Sequence, residues 1–271
     1  MHIQYARQFN RRQEFDAHRP YGQLPEGTDD PDIEFEITTH RGDVYWEHKS
    51  FGNWRGSIGA SVQSQVNTTD RGALIPNYES RSAGAYIIER WKNYPFPLEF
   101  EAGLRYDYQW MDVGRQGTDT LDQQLNFNSF SGTAGAIYRF PRLLRLRLNF
   151  GTAWRPPHVN ELFSEGVHHG SASYEKGNPD LVPERAFNTS LTGEFNNEKN
   201  LSATLTLYYN RIQNFIFAEP QDQPVLTIRG AFPAFDYKQA DARIMGLDWS
   251  LDYEFVERLH LESRGALLRS W

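Results

Sequence analysis

The sequence predicts an all-β fold, and within that class an antiparallel transmembrane β-barrel. Apolar and polar residues alternate with a period of two along most of the chain, which is the pattern of strands that hide one face. The segments between predicted strands are alternately short and long, as periplasmic turns and extracellular loops are in outer-membrane barrels. Aromatic residues make up 14% of the 271 residues and cluster near strand ends, where interfacial girdles form.

The individual strands follow from the alternation. In residues 98–110 every second position is apolar, and charged residues such as Glu101 and Arg105 lie between. The same alternation recurs in residues 144–154, 201–210 and 247–255, and helical spacing fits none of these windows. The whole chain then contains about eleven strands with lengths near that of a tilted membrane strand, at approximately residues 2–15, 32–48, 53–67, 82–92, 98–113, 125–140, 143–158, 184–196, 200–218, 236–255 and 258–271.

Short and long connections alternate between these strands. The tight ones are residues 49–52, 93–97, 141–142, 197–199 and 256–257. The long, polar ones are residues 16–31, 68–81, 114–125, 159–183 and 219–235. One end of the sheet is therefore predicted to carry only turns and the other only loops. A soluble β-sandwich also hides one face of each strand, so the pattern alone leaves that alternative open.

Composition limits the function classes. No run of about eighteen apolar residues occurs, which excludes a transmembrane helix, and the mean hydropathy is −0.68. Cysteine is absent, so disulfides and thiolate metal sites are excluded. The net charge of −7 is spread along the chain and gives no basic face for nucleic acid. No secretion signal follows Met1, as we expect of a truncated chain.

Three sequence elements occur in a fixed order. The first is Glu101-Ala102-Gly103-Leu104-Arg105-Tyr106-Asp107, the second runs from Phe150 through Pro157 to Asn160-Glu161-Leu162-Phe163, and the third runs from Gly177 to Glu184. Together they resemble the barrel of TonB-dependent outer-membrane receptors of Gram-negative bacteria. The residues that carry the second and third elements are Arg155, Pro156, Asn160, Glu161, Leu162, Phe163, Gly177, Asn178, Pro179, Leu181, Pro183 and Glu184.

The resemblance implies a barrel of about 22 strands around a plug domain, preceded by a box that contacts TonB. We expect residues 1–271 to be part of that barrel, without the plug, the TonB box or the C-terminal strands. The implied function is active uptake of a metal ion, a metal chelate or a similar scarce ligand across the outer membrane. The implied partners are outer-membrane lipid, the TonB–ExbB–ExbD complex and the imported ligand. A soluble or surface β-rich ligand-binding protein and a passive porin remain the alternatives.

The longest loop holds the candidate ligand-binding residues His168, His169, Tyr174 and Glu175. Imidazole and carboxylate groups together suit Zn²⁺ or a related transition metal, and the resemblance implies a His-rich loop in zinc- and haem-associated receptors. His168 and His169 are therefore predicted metal ligands, with zinc, another metal or haem as the transported ligand and no required cofactor. Alternatively, the histidines bind no metal: adjacent side chains of an extended segment point in opposite directions and form only local hydrogen bonds.

The proline-containing motifs have a mainly structural interpretation. Asn178-Pro179 and Pro183 are predicted to shape the loop, because Pro fixes φ and Asn favours turns. Arg155-Pro156-Pro157 is predicted to end strand pairing, since proline cannot donate to a ladder. No nucleophile elbow, phosphate-binding loop or paired-His helix occurs, so the chain is not predicted to be an enzyme.

Overall fold

The computed structural model describes residues 1–14, 31, 33–71, 74–93, 95–116, 119–141, 143–227, 230–256 and 258–271. Eleven long strands alternate with turns and loops, as predicted. They are β1 (His2–Glu14), β2 (Ile33–Glu47), β3 (Trp54–Arg71), β4 (Tyr78–Lys92), β5 (Leu98–Gln116), β6 (Asp119–Arg139), β7 (Leu144–Arg155), β10 (Glu184–Asn196), β11 (Leu201–Pro220), β14 (Ala234–Val256) and β15 (Leu259–Ser270).

Short elements occupy two of the loops. Between β7 and β10 lie a helix α1 (Val159–Phe163), strand β8 (Glu165–His168), a 3-10 turn (His169–Ser171) and strand β9 (Ser173–Lys176). Between β11 and β14 a small hairpin pairs β12 (Val225–Thr227) with β13 (Gly230–Phe232). In the part of the chain that the structure describes, neither helix has the length and apolar character needed to cross a bilayer.

One sheet contains all eleven long strands. Each long strand pairs antiparallel with the next, from β1 to β7, then through β10, β11 and β14 to β15. Strand β9 adds to the loop end of β14 in parallel orientation, and β8 pairs with β9, which makes thirteen strands. The prediction of an antiparallel barrel sheet is confirmed.

One face of the sheet is apolar and suits lipid, and the other is polar and suits water. Phe100, Leu104 and Phe130 on one face are exposed, whereas Glu99 and Ser129 on the other are buried although they are polar. The polar face is therefore the enclosed, concave one, and the apolar face points outward. The rival β-sandwich would bury the apolar face. It is wrong, because a single sheet leaves the following leucines on the outside: Leu104, Leu148 and Leu205.

The strands extend further at the loop end than the alternation predicted. The predicted loop 68–81 is wrong over much of its length, because β3 continues to Arg71 and β4 begins at Tyr78. The predicted loop 114–125 is likewise mostly ladder, since β5 and β6 still pair at Gln116 and Asp119. Above the membrane both faces of a strand contact water, so the strand continues without the alternation of lipid-facing residues.

Two apolar clusters lie at this loop end. The larger contains Met111, Val113, Val159, Leu162, Leu181 and Ile216, with Tyr78, Leu121, Leu125, Phe163 and Tyr237 packed around it. The smaller contains Ile33, Phe35 and Leu74, flanked by Ile37 and Ile75. The concave face of β5 thus changes along the strand from charged residues such as Arg105 to the buried Met111 and Val113.

Candidate functional site

The loop of residues 159–183 folds inward over the open end of the sheet. It was predicted as a long, polar loop, but it contains α1, which at five residues is too short to show helical periodicity. The apolar side of α1 is the reason for the inward fold, because Val159 and Leu162 pack with Leu181 against Met111 and Val113 of β5. Leu162 is 1% exposed. The loop therefore covers part of the mouth that the polar face encloses.

A register shift on the opposite side of the mouth completes this cluster. The pairing of β11 with β14 slips between Ile212 and Phe215, as a β-bulge does when it re-aims side chains. Below the shift the odd-numbered residues of β14 lie on the outward face, opposite Leu205 and its neighbours. Above it Tyr237 packs with Ile216 into the cluster. The irregularity thus aims an aromatic hydroxyl at the loop.

An arginine joins both ends of the loop. Arg155, the last residue of β7, donates from Nε and Nη2 to the Glu184 carboxylate at 2.9 and 2.8 Å. Its Nη1 donates to Glu161 of α1 at 3.0 and 2.8 Å. Both carboxylates also accept backbone N–H groups, from His158 at 2.7 Å and from Ile216 at 2.7 Å. A motif residue at the start of the loop and one directly after its end therefore meet at the Arg155 guanidinium.

The pKa values follow from these contacts. The hydrogen bond from Arg155 to Glu184 is the largest influence on the arginine and raises its pKa. Burial on its own would raise the pKa of Glu184, but the hydrogen bonds from Arg155 and from the Ile216 N–H outweigh burial, and the pKa lies below its ordinary value. Arg155 and Glu184 are both charged at neutral pH, so the bidentate pair between them is charge-assisted.

The second half of the loop packs its backbone closely against the end of α1 at Gly177. Gly177 N donates to Ser164 O at 2.6 Å, and Asn178 N donates to Glu161 O at 2.9 Å. A Cβ at Gly177 would lie 2.5 Å from Phe163 N and 2.6 Å from the Leu162 carbonyl, so only glycine fits here. The Asn178 side chain accepts the Asp180 N–H at 3.0 Å and so forms an Asx turn.

The predicted ligand residue His168 links the loop to the first strand. Its Nδ1 lies 2.7 Å from Glu175 Oε1, and its Nε2 lies 3.4 Å from Glu14 Oε1. Gly170 N donates to the other Glu14 oxygen at 3.1 Å. Arg12 also approaches His168 Nε2, at 3.4 Å, and pairs with Glu14 at 2.6 Å. The buried Glu14 therefore anchors the loop tip to β1.

The predicted ligand residue Glu175 links the loop to β14. Tyr237 of β14 donates its hydroxyl to Glu175 Oε2 at 3.2 Å and receives a 3.5 Å contact from Asn160 Nδ2. Burial, and then the neighbouring negative charge of Glu175, raise the pKa of Tyr237 to about 12. Tyr174 donates its backbone N–H to Pro233 O at 2.8 Å and starts the parallel pairing of β9 with β14. The loop thus contacts β1 on one side and β14 on the other.

The four predicted ligand residues divide into two groups. The structure brings His168 and Glu175 together, while His169 begins the 3-10 turn and Tyr174 joins the sheet. Across the described ranges no group of three His, Cys, Asp or Glu side chains is arranged to hold a metal ion. Glu14, Arg12 and Tyr237 were missed by sequence reasoning, because no local pattern connects them with the loop.

The concave face beneath the loop is lined by charged groups. Glu99 receives Lys92 Nζ at 2.7 Å and pairs with Arg139, Arg90 pairs with Glu101, and Arg145 pairs with Glu194. A cavity of about 340 Å³ lies among Arg90, Glu101, Arg147 and Asn149. This surface suits contact with water, with a polar domain or with a charged ligand, and it excludes lipid.

Comparison with known proteins identifies the family. A family model described as "TonB dependent receptor-like, beta-barrel" matches residues 3–269. The chain therefore belongs to the TonB-dependent receptor family, and its place is the outer membrane of a Gram-negative bacterium. The resemblance that the three sequence elements indicated is confirmed. The family is one of receptors and transporters rather than enzymes.

Two curated relatives are similar in sequence. The "Iron-regulated outer membrane virulence protein" of Vibrio cholerae serotype O1 is 24% identical over 148 residues, which are 53% of this chain and 23% of that protein. The "Heme/hemopexin utilization protein C" of Haemophilus influenzae is 22% identical over 222 residues, 74% of this chain and 30% of that protein. The chain thus spans less than a third of the length of these relatives.

Solved structures show the same fold. The FrpB iron transporter of Neisseria meningitidis superposes with a TM-score of 0.70 at 14% identity, covering 99% of this chain and 41% of that one. The "Copper transporter OprC" superposes with a TM-score of 0.67 at 17% identity, covering 88% of this chain and 38% of that one. At these identities the likeness extends to the fold alone.

Proposed function

We propose that this member of the TonB-dependent receptor family forms part of the barrel wall and the extracellular mouth of a receptor that actively imports iron, haem or another metal chelate. The observation that carries the proposal is the arrangement of the two faces together with the 159–183 loop. The outward face is apolar, the enclosed face is charged, and the loop lies across the opening. A polar conduit with a loop across its outer end suits a ligand that is captured first and released inward later.

The ligand class is supported by the relatives. One is named as iron-regulated, one as a haem and hemopexin utilization protein, and the structural neighbours include an iron transporter and a copper transporter. All of these names concern metals or metal chelates. We therefore favour a metal-containing ligand over a purely organic one. No chemical reaction is assigned to the chain.

The proposed mechanism uses contacts within the loop. The loop is held at its base by Arg155 and at its tip by Glu14, and both anchors are ionic. A ligand that binds at the tip has to displace contacts of His168 with Glu175 or Glu14, and displacement loosens the tip while the base stays attached. A plug domain and the TonB–ExbB–ExbD complex, which the parent receptor would engage, supply the inward movement. The charged concave face is the surface that such a plug would contact.

Transport is tested with the full-length receptor in a Gram-negative strain that lacks its own iron and haem receptors. Radiolabelled ferric siderophore, haem, Cu²⁺ and Zn²⁺ are offered to cells with and without TonB. We expect accumulation of one of these probes only in cells with TonB. Equal accumulation without TonB would identify a passive porin, and no accumulation of any probe would reject metal-chelate import.

The predicted role of the histidines becomes part of this proposal. We include His168 and His169, with Glu175, as ligand contacts at the loop tip. Zinc and haemin are titrated into the full-length receptor and into a His168→Ala/His169→Ala variant, with His260→Ala as the matched control, because His260 is exposed on β15. Loss of an imidazole ligand should weaken binding at least about tenfold. Unchanged affinity in the double variant removes the histidines from the site and leaves the transport proposal standing.

A further inference from the structure

The outward face of β7, β10, β11, β14 and β15 is ordered in rows across the strands. One row, formed by residues directly opposite one another, contains only leucine: Leu148, Leu191, Leu207, Leu247 and Leu267. Two residues closer to the loop end, the next row contains Phe150, Thr189, Tyr209, Met245 and Arg269. The row after that contains Thr152, Phe187, Arg211, Arg243 and Trp271. The face therefore changes from hydrocarbon-like to cationic within four residues.

The position of this change matches the edge of the membrane. On β14, the rings of Tyr253 and Phe255 pack edge to face at the turn end of the outward face. Arg243 lies ten residues further along the strand from Tyr253, and a transmembrane strand needs roughly 9–11 residues. Arg243 and its neighbours thus lie at the level of the lipid headgroups. Because the long loops of such barrels are extracellular, this is the headgroup layer of the outer leaflet.

The cluster of arginines is left with excess positive charge. Arg211 and Arg243 are directly opposite each other, a like-charge cross-strand pair that destabilises a sheet. Arg269 lies diagonally next to Arg243 and its guanidinium stacks on Trp271 at 5.7 Å. One carboxylate, Asp241, contacts Arg211 at 3.5 Å and is shared with the backbone N–H of Asn214. Within the described part of the chain, three guanidiniums therefore face one carboxylate.

One donor in the cluster lacks a partner. Arg211 Nε has no hydrogen-bond acceptor among the described residues, and the Arg211 side chain is 42% exposed, so its guanidinium is open to an acceptor from outside the sheet. A phosphate group can accept from several guanidinium donors at once, and Arg matches phosphate geometry in a bidentate manner. The adjacent leucine row would hold acyl chains. A lipid with a phosphate above its acyl chains would contact the arginines and the leucine row at the same time.

We propose that Arg211, Arg243 and Arg269 bind the phosphate of an anionic outer-leaflet lipid, a phosphorylated acyl glycolipid, on the outside of the barrel. The site is distinct from the concave face and independent of which ligand the receptor imports. Another outward arginine provides a contrast. Arg81 lies at the loop end of β4 opposite Trp110, but its Nη2 pairs with Glu79 at 2.6 Å. The arginine on β4 thus has its own carboxylate, whereas on β11, β14 and β15 the described residues supply one carboxylate for three arginines.

The test uses the full-length receptor in phosphatidylcholine nanodiscs, with bisphosphorylated lipid A and its dephosphorylated form as probes. We expect the receptor to bind the phosphorylated form at least about tenfold more tightly. The Arg243→Gln/Arg269→Gln variant should lose this preference, Arg243→Lys/Arg269→Lys should keep most of it, and Arg81→Gln should keep all of it. Heat-dependent migration on gels establishes that each variant is a folded barrel.

Three outcomes overturn the proposal. Unchanged lipid preference in Arg243→Gln/Arg269→Gln would show that these arginines do not bind the lipid. An equal loss in Arg81→Gln would show a general charge effect instead of a site. Displacement of lipid A by millimolar inorganic phosphate would show that the cluster binds a free anion and not a lipid headgroup.

Discussion

Leu162→Ala is expected to release the 159–183 loop from the mouth while the sheet stays folded. Leu162 is 1% exposed and belongs to the cluster that joins α1 to β5 and β11. Replacing a buried leucine by alanine costs about 2–5 kcal/mol, depending on how far the site collapses. A value of about 3 kcal/mol makes the undocked loop roughly a hundredfold more populated. The strands themselves keep their backbone ladders, so the loss is local.

Hydrogen exchange of the full-length receptor, followed by mass spectrometry of peptides covering the loop, measures this population. The reporting amides are those of Gly177 and Asn178, which donate to backbone carbonyls inside the docked loop. Their exchange should accelerate roughly a hundredfold in Leu162→Ala, because it proceeds through undocking. Val182→Ala is the matched control in the same loop, since Val182 is 47% exposed and surface substitutions change stability by less than about 0.5 kcal/mol.

Three results would refute this account of the loop. Equal exchange rates in Leu162→Ala and Val182→Ala would mean that the apolar cluster does not hold the loop in place. Unprotected exchange of Gly177 and Asn178 in the unmodified receptor would mean that the loop is not docked at all. Acceleration throughout β5 and β11 would instead show that the loop is part of the cooperative core of the sheet.

Further predictions concern the same loop. Gly177→Ala forces the backbone of α1 to move and should expose the loop to protease, whereas Gly151→Ala, where an added Cβ meets nothing within 4 Å, should leave cleavage unchanged. Because the pKa of Glu184 is lowered by docking, its contribution is complete above its ordinary value of 4.5 and is lost as pH falls through the lower folded value; the mobility of a nitroxide on the loop should rise only below that range. The pKa of Tyr237 is raised, so its contribution to loop stability is complete below pH 10 and is lost as pH rises through about 12. Tyr237→Phe removes the hydrogen bond to Glu175. It should raise the population of the mobile nitroxide at neutral pH by less than about tenfold and abolish the alkaline change.

The strands could be predicted from sequence because lipid imposes a pattern on them. Residues such as Leu104 and Leu205 must be apolar, and their neighbours face a wet interior, so the alternation survives along each membrane-crossing segment. Beyond the membrane this requirement ends. The ladders of β3 to Arg71 and of β5 to Gln116 therefore lie in segments that the pattern assigned to loops.

The candidate site could be predicted only where its parts are local. Arg155, Glu161, Gly177 and Glu184 lie in recognisable motifs, but the meeting of the two carboxylates at the Arg155 guanidinium depends on the fold of the loop. Gly170 and Glu14 are 156 residues apart in the chain, and no periodicity relates them. Tyr237 is odd-numbered, like the outward-facing residues of β14, but it points inward because the register shifts near Ile212. Long-range contacts and bulges leave no trace in a single sequence.

The division of the loop into a base and a tip has a consequence for ligand specificity. The base is specified by backbone geometry at Gly177 and by fork-shaped hydrogen bonds at Arg155, neither of which tolerates substitution. The tip, residues 165–176, is tied to the sheet by the side-chain contacts of His168 and Glu175 and by backbone pairing, which many sequences can supply. The energetic cost of changing the tip is therefore smaller than that of changing the base. A receptor built in this way can acquire a new ligand by exchanging tip residues while the same docked loop is retained, and the proposed specificity belongs to the tip.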